Sequence, residues 1–281
     1  MNKISGFAQR LLEEPPFRLF TKAVINRLPV SVRSRERWDV APRPNYLTGV
    51  LAAADQALDE GQQEISVFEF GVAAGNGLIA LENVSSDVSA ETGIKIAVYG
   101  FDAGTGMPEL IGDYRDYPDH WQAGDYPMNE ELLRTRLKPA TTLIVGNVAE
   151  TIPANIDQIK EPIGFVAVDV DIYSSARDTL FKLFARPGRK MLRRTMMYFD
   201  DVDLRITHKF AGELLAIDEF NASNPFVRID RWRGIDKQRP FPEAAWLRRM
   251  YIAHDIEAIS KARSGTHKTY AGIDDDAGWP G

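Results

Sequence analysis

Four aspartates and three glycines carry the chemistry open to this sequence. Asp169 and Asp171 close the apolar run Ile163–Val170, and Asp200 and Asp201 follow directly on Thr195–Phe199. If these runs are neighbouring strands, four carboxylates converge. Asp169 and Asp171, two apart on a strand end, would then project the same way. Like charges at short range raise at least one pKa, and a cation removes that cost. Oxygen ligands without His or Cys suit Mg²⁺ or Ca²⁺ rather than Zn²⁺. A plainer use stays open: aspartate can cap the helix starting near Ser174–Ser175, or the turn after Asp201.

The glycines lie in Glu69-Phe70-Gly71-Val72-Ala73-Ala74-Gly75-Asn76-Gly77, at the end of the apolar run Ile65–Phe70. Glycine lets the backbone approach a ligand that a Cβ would push away. It also serves ordinary tight loops. The spacing is GxxxGxG and not the GxGxxG of a dinucleotide fingerprint. Asp102 ends the next apolar run, where an acidic side chain can accept hydrogen bonds from both ribose hydroxyls. Glycine turn and aspartate in register point to an adenosine-type ligand.

Alternating elements must position these residues. Helices are expected over Tyr46–Ala57, Gly77–Asn83, Glu130–Leu137, Ser175–Phe184 and His208–Phe220, the last offering Phe210, Leu214, Leu215 and Ile217 for burial. Strands are expected over Ile65–Phe70, Ile94–Phe101, Thr141–Val145, Ile163–Val170, Thr195–Phe199, Phe226–Trp232 and Leu247–Ala253. The alternation predicts an α/β fold: a Rossmann-like, doubly wound, mostly parallel seven-stranded sheet with helices on both faces. The last two strands, linked without a helix, predict an antiparallel C-terminal edge hairpin. Residues 1–44 read as a helical extension split at Pro15-Pro16, serving as cap, lid or dimerisation arm. Residues 45–259 form the main domain, and 260–281 read as a polar, mobile tail with Asp274-Asp275-Asp276.

Composition sets the outer limits. The 281 residues suit one large α/β domain with appendages, at 44% hydrophobic and 26% charged content. A formal net charge of −6 disfavours nonspecific nucleic-acid binding. With no cysteine there is no disulfide framework, thiolate metal site or cysteine nucleophile. No secretory signal or membrane-length apolar run is evident, so a cytoplasmic protein without membrane partners is expected.

The run Glu69-x-Gly71-xxx-Gly75-x-Gly77 resembles motif I of the class I S-adenosylmethionine-dependent methyltransferases. The resemblance covers residues 60–255. It implies that Glu69, Gly71, Gly75 and Gly77 serve the methionine end of S-adenosylmethionine and that Asp102 holds its ribose. Asn147, in Gly146–Glu150 after the third strand, would contribute adenine-side contacts. Asp169-x-Asp171-x-Tyr173-x-Ser175, followed by Asp200-Asp201, further resembles the macrocin O-methyltransferase-like family, Mg²⁺-dependent enzymes that methylate sugar hydroxyls of natural products. Thr142–Asn147 and Glu150–Pro153 resemble its strand-three segment, and Asp113–Tyr126 its substrate-side insertion. Carried over, Asp171, Asp200 and Asp201 bind Mg²⁺, and Asp169 is the general base. Val170 stands where that family has glycine, and Val202 where it has an aromatic residue.

The implied partner is a small-molecule acceptor, a sugar or phenol hydroxyl, with a homodimer possible through the N-terminal helices. Tyr114, Tyr117, His120, Trp121 and Tyr126 in the long segment 113–129 would form a lid or anchor their own loop. Tyr46 would reach the cofactor or lie buried in its helix. His208 could touch the acceptor, and Arg231 and Arg233 read as an exposed strand face. A catechol-type O-methyltransferase follows the same metal logic. A nicotinamide-dependent oxidoreductase is opposed by the glycine spacing, and a non-catalytic cofactor-binding protein by the presence of all four aspartates.

Overall fold

A computed structural model describes Ala23, Ile25 and residues 27–262 apart from Pro187 and Gln238. The two N-terminal helices expected around Pro15-Pro16 lie outside the described residues, as does the tail beyond Ala262. The elements are α1 (Val32–Arg37), α2 (Pro44–Asp59), β1 (Glu64–Phe70), α3 (Asn76–Thr92), β2 (Lys95–Asp102), α4 (Glu130–Arg136), β3 (Thr141–Val145), α5 (Val148–Asn155), β4 (Ile163–Val168), α6 (Tyr173–Phe184), β5 (Met191–Phe199), α7 (Gly212–Ser223), β6 (Val227–Arg231), β7 (Met250–Asp255) and α8 (Ile256–Lys261). They form one seven-stranded sheet of order β3-β2-β1-β4-β5-β7-β6. β1 to β5 run parallel, and β7 is antiparallel to both β5 and β6. No helix among the described residues is long and apolar enough to cross a membrane.

Strand alternation divides the core between the two faces of the sheet. Phe68 and Phe70 of β1 join Phe101, Val166, Val168 and Phe199 beneath Ile152 of α5, Leu180 and Phe184 of α6 and Phe220 of α7. Ile65 and Val67 turn to the other face, with Phe165, Ala167 and Tyr198 beneath Tyr46, Val50 and Ala53 of α2 and Leu78 and Leu81 of α3. Each fully buried phenylalanine contributes about 1.5–3 kcal/mol through burial. β4 is a continuous apolar run, and β1 is buried from Ile65 to Phe70, because helices cover both faces. Glu69, on the same parity as Val67, is therefore carried under α2 and α3 and not into solvent.

Several elements depart from expectation. α7 starts at Gly212, not His208, because Gly212 takes φ +59°, and Phe210 is left 59% exposed. α5 occupies residues for which no helix is expected, and α3 runs nine residues past Asn83, with Val84 and Val88 extending its buried face. The terminal pair is antiparallel, but β7 inserts between β5 and β6, and Leu247 belongs to a 3₁₀ turn, Ala245–Arg249, before the strand. β4 stops at Val168, so Asp169 and Asp171 lie past the strand and not on it.

Candidate active site

The glycine turn is shaped by close approaches of protein to protein. Gly71 has φ +86°, and a Cβ there would sit 1.6 Å from the Asp169 carbonyl oxygen. The two chains are pinned by Asp169 N donating to Phe70 O at 2.9 Å. At Gly77 an added Cβ would fall 1.7 Å from Glu69 Oε1. Gly75 caps α3 with φ +84° and turns its Cα toward Leu133, 2.1 Å from an added Cβ. Gly71 and Gly77 line the central cavity; Gly75 stands outside the lining, with Leu133 of α4 on its open side. Asp102 holds the turn itself. Its Oδ2 accepts from Val72 N and Ala73 N, each at 2.8 Å, and its Oδ1 from Gly104 N at 2.6 Å. It still borders the cavity, as does Asn147, whose side chain caps α5 by accepting from Ala149 N at 2.9 Å.

Beneath the turn lies a hydrogen-bonded line of three side chains. Arg43 Nη1 donates to Tyr46 Oη at 3.3 Å, and the Tyr46 hydroxyl donates to Glu69 Oε1 at 2.7 Å. Glu69 Oε2 is buried without a partner. Burial pushes the Glu69 carboxyl up to about 7, opposed by the Tyr46 hydrogen bond. Tyr46 is fully buried, which settles its two readings in favour of the core.

The structure brings all four predicted aspartates to one cavity, grouped differently from expectation. One oxygen each from Asp169, Asp200 and Asp201 lies within 4.8 Å of the others. Asp171 takes φ +61°, which breaks strand alternation and aims it apart from Asp169. It lies against Asp201, close enough for each carboxyl to perturb the other. None of the four caps α6, whose Ser174 N donates instead to Asp116 Oδ1 at 2.8 Å. Burial, then the neighbouring carboxylates, raises Asp169 well above the usual range, Asp171 to about 7 and Asp201 to about 8. Asp200 pairs with Arg249 Nη1 at 2.8 Å and accepts from the Tyr198 hydroxyl. Asp201 Oδ2 and Glu213 Oε1 are buried and unpartnered. A crowded, oxygen-only, partly unpaired donor set fits a hard divalent cation.

Both halves open on a cavity of about 400 Å³. Its far wall comes from the segment between β2 and α4, through Met107, Pro108, Trp121, Asp125 and Tyr126. Reciprocal backbone bonds hold this segment: Met107 N to Asp125 O at 2.7 Å and Gly124 N to Met107 O at 2.8 Å. Its base is nailed down by the fully buried Asp116, whose Oδ2 accepts from Ile111 N and Ser174 Oγ, both at 2.9 Å. Trp121 and Tyr126 pack edge to face, 6.1 Å between centroids. Among the aromatic residues singled out in this loop, only these two border the cavity; His120 and His208 do not.

Arg43, Arg249 and Glu213 were not singled out from the sequence. Arg249 is legible only once β7 is known to pair antiparallel with β5, which sets Met250 opposite Tyr198. Glu213 lies in the first turn of α7 and accepts from Asp201 N at 3.1 Å, a contact no spacing announces. Arg43 had one weak signal, its place just before the helix-opening Pro44.

No protein-family model and no curated protein matches the chain. Solved structures do. CalS11, a calicheamicin methyltransferase, superposes with a TM-score of 0.53 at 18% identity, over 90% of this chain and 94% of that one. An apo structure of CalS11, described as a TDP-rhamnose 3′-O-methyltransferase, matches at 17% identity and TM-score 0.46, over 90% and 97%. The plantazolicin methyltransferase BpumL, solved with S-adenosylhomocysteine, matches at 12% identity and TM-score 0.31, over 68% and 58%. The likeness to CalS11 establishes the fold: the chain has the Rossmann-like architecture of a class I methyltransferase.

Proposed function

We propose that this protein is an S-adenosylmethionine-dependent, divalent-metal-dependent O-methyltransferase acting on a hydroxyl of a small molecule, such as a sugar of a natural product or glycoside. One observation carries the reading: the glycine turn and the carboxylate cluster border the same cavity, at the carboxyl ends of β1, β4 and β5. Ligands of open α/β sheets bind at that edge. S-adenosylmethionine would supply an activated methyl group, passed in line from sulfur to oxygen, with the carbon–sulfur bond breaking and S-adenosylhomocysteine as the leaving group. A divalent cation, held by Asp169, Asp200 and Asp201, supplies Lewis acidity toward a hydroxyl.

The grouping of the carboxylates favours exchanging two roles expected from the sequence: Asp169 as ligand and Asp171 as base. Asp171 lies against the ligand set without belonging to it, and its raised pKa of about 7 is close to that wanted of a general base. Its carboxylate takes the proton of the acceptor hydroxyl as the carbon–oxygen bond forms. Glu213 and Arg249 fix Asp201 and Asp200 in place, so that alignment is built in before the acceptor arrives. Trp121 and Tyr126 present aromatic faces at the mouth, beside the Asp125 carboxylate, a pairing that suits a sugar ring.

Calorimetric titration with S-adenosylmethionine, with and without Mg²⁺ and with a nicotinamide dinucleotide as control, tests the reading. Binding of S-adenosylmethionine and not of the dinucleotide is expected. Dinucleotide preference, or no binding of either, overturns it.

A further inference from the structure

Arg43 is, among the described residues, the one cationic side chain bordering the central cavity. Its surroundings leave it short of partners. A guanidinium carries five N–H donors. Arg43 uses one of them, at 3.3 Å, on the neutral hydroxyl of Tyr46, and its plane rests over the same ring, 5.0 Å from the centroid. Glu69 and Asp169 lie near enough to be felt electrostatically. No nitrogen of Arg43 comes within ion-pair distance of either, although the chain forms such pairs at many other arginines. A half-buried, multiply unsatisfied fork facing a cavity is a site for an anion, and planar bidentate recognition of a carboxylate is what this side chain does best.

Its position identifies the anion. The line Arg43–Tyr46–Glu69 ends under Gly77, so the arginine belongs to the glycine-turn side of the cavity. On the acceptor side, walled by Trp121, Asp125 and Tyr126 and floored by the aspartates, no described cation borders the cavity, Arg249 being engaged behind Asp200. Resting on the reading given above, we propose that Arg43 binds the α-carboxylate of the cofactor's methionine moiety. That group is the only anion S-adenosylmethionine has, and the binding fixes the direction in which the sulfonium faces the aspartates. Glu69 Oε2, buried and unpartnered at the other end of the same hydrogen-bonded line, leaves the neighbouring position suited to the α-ammonium group of the same amino acid. Arg43 then reads the amino-acid end of the cofactor, while the turn shaped by Asp102 reads its nucleoside.

Two ligands that differ only at that end provide the test: S-adenosylhomocysteine, and 5′-methylthioadenosine, which lacks the amino-acid carboxylate. Both are titrated by calorimetry into the full-length protein and into Arg43→Gln and Arg43→Lys. Arg43→Gln is expected to weaken S-adenosylhomocysteine by about 10- to 100-fold. Its affinity for 5′-methylthioadenosine should stay within about 3-fold of the parent value, which also reports that the variant is folded. Arg43→Lys should recover part of the loss, since it keeps the charge without the fork. An equal loss for both ligands, or no loss for S-adenosylhomocysteine, overturns the assignment. So does an unchanged cofactor affinity accompanied by a raised KM for the acceptor, which would give the arginine to the acceptor instead. If the parent protein binds neither ligand, the cofactor reading itself fails, and the assignment falls with it.

Discussion

Asp171 and Asp201 hold protons that ordinary carboxyls would have lost, with pKa values pushed up to about 7 and about 8 by burial and by neighbouring aspartates. A folded-state pKa above the unfolded one means stability that is complete below about pH 4 and is lost as pH rises through 7 and 8. The metal-free protein should therefore melt at progressively lower temperature across that interval. A divalent cation competes with those protons, so its benefit should grow over the same range, reaching about 2.7 kcal/mol at one hundred times its dissociation constant. Melting curves in chelator and in saturating Mg²⁺, taken at several pH values, should diverge as pH increases, and Asp201→Asn should close the gap. Parallel curves would remove the metal from the site. Glycine makes an equally sharp case. Gly71→Ala forces a side chain into a left-handed backbone and against a carbonyl oxygen, and should cost more than ~3 kcal/mol in urea unfolding. Gly93→Ala, also left-handed (φ +79°) but with nothing within 4 Å, should cost about 1 kcal/mol. Equal costs would show that the contact with Asp169 is unimportant. The glycine positions were legible as a motif because spacing is visible in one dimension. That Gly75 packs against Leu133 was not, since it depends on where α4 returns.

The segment between β2 and α4 is built as an element in its own right, despite having only one short 3₁₀ turn, Tyr114–Asp116. Asp116 ties it to the first turn of α6 and takes the capping role that Asp169 or Asp171 might have filled. Asp116→Ala removes acceptors from two backbone N–H groups and one hydroxyl, at a cost of about 2 kcal/mol. Limited proteolysis should then cut within residues 103–129 much faster than in the parent. An unchanged cleavage pattern would mean that the loop is held by its aromatic residues instead. At this scale the sequence was informative wherever both faces of an element are covered. Mostly apolar runs marked β1 and β4 to within one or two residues, because both faces of those strands are covered, whereas β5 begins four residues before the expected Thr195, across Arg193 and Arg194. It failed where conformation turns on one residue. Gly212 delays α7 and leaves Phe210 outside, and the left-handed Asp171 cancels the alternation that put it beside Asp169.

The molecule as a whole is closed by contacts between distant parts of the chain. Arg239, in the link between β6 and β7, reaches Asp39 Oδ1 and Thr48 Oγ1, both at 2.9 Å, pairs with Glu36 of α1, and lies over the Trp246 ring. Asp39 is 1% exposed, so Arg239→Ala strips a buried carboxylate of this cation and should cost about 3 kcal/mol in urea unfolding. Arg233→Ala, which breaks an exposed pair with Asp230, should change stability by no more than about 1 kcal/mol. Comparable losses would show that the link is not a fastening. The seven strands and their parallel majority were readable from the alternation of elements. The insertion of β7 was not, because no local pattern records which of two antiparallel neighbours lies inside. That insertion has a consequence for biosynthesis. As the chain leaves the ribosome, β2 can add to β1, β3 to β2, β4 to the open side of β1, and β5 to β4. β6 then emerges with no strand to pair with, since its sole partner among the described strands is still unmade. The same late stretch delivers Arg249 to Asp200. A nascent chain halted before β7 would carry the glycine turn and all four aspartates, yet hold its acidic cluster without the arginine that steadies it. Competence for metal would then arrive with the last strand to be translated.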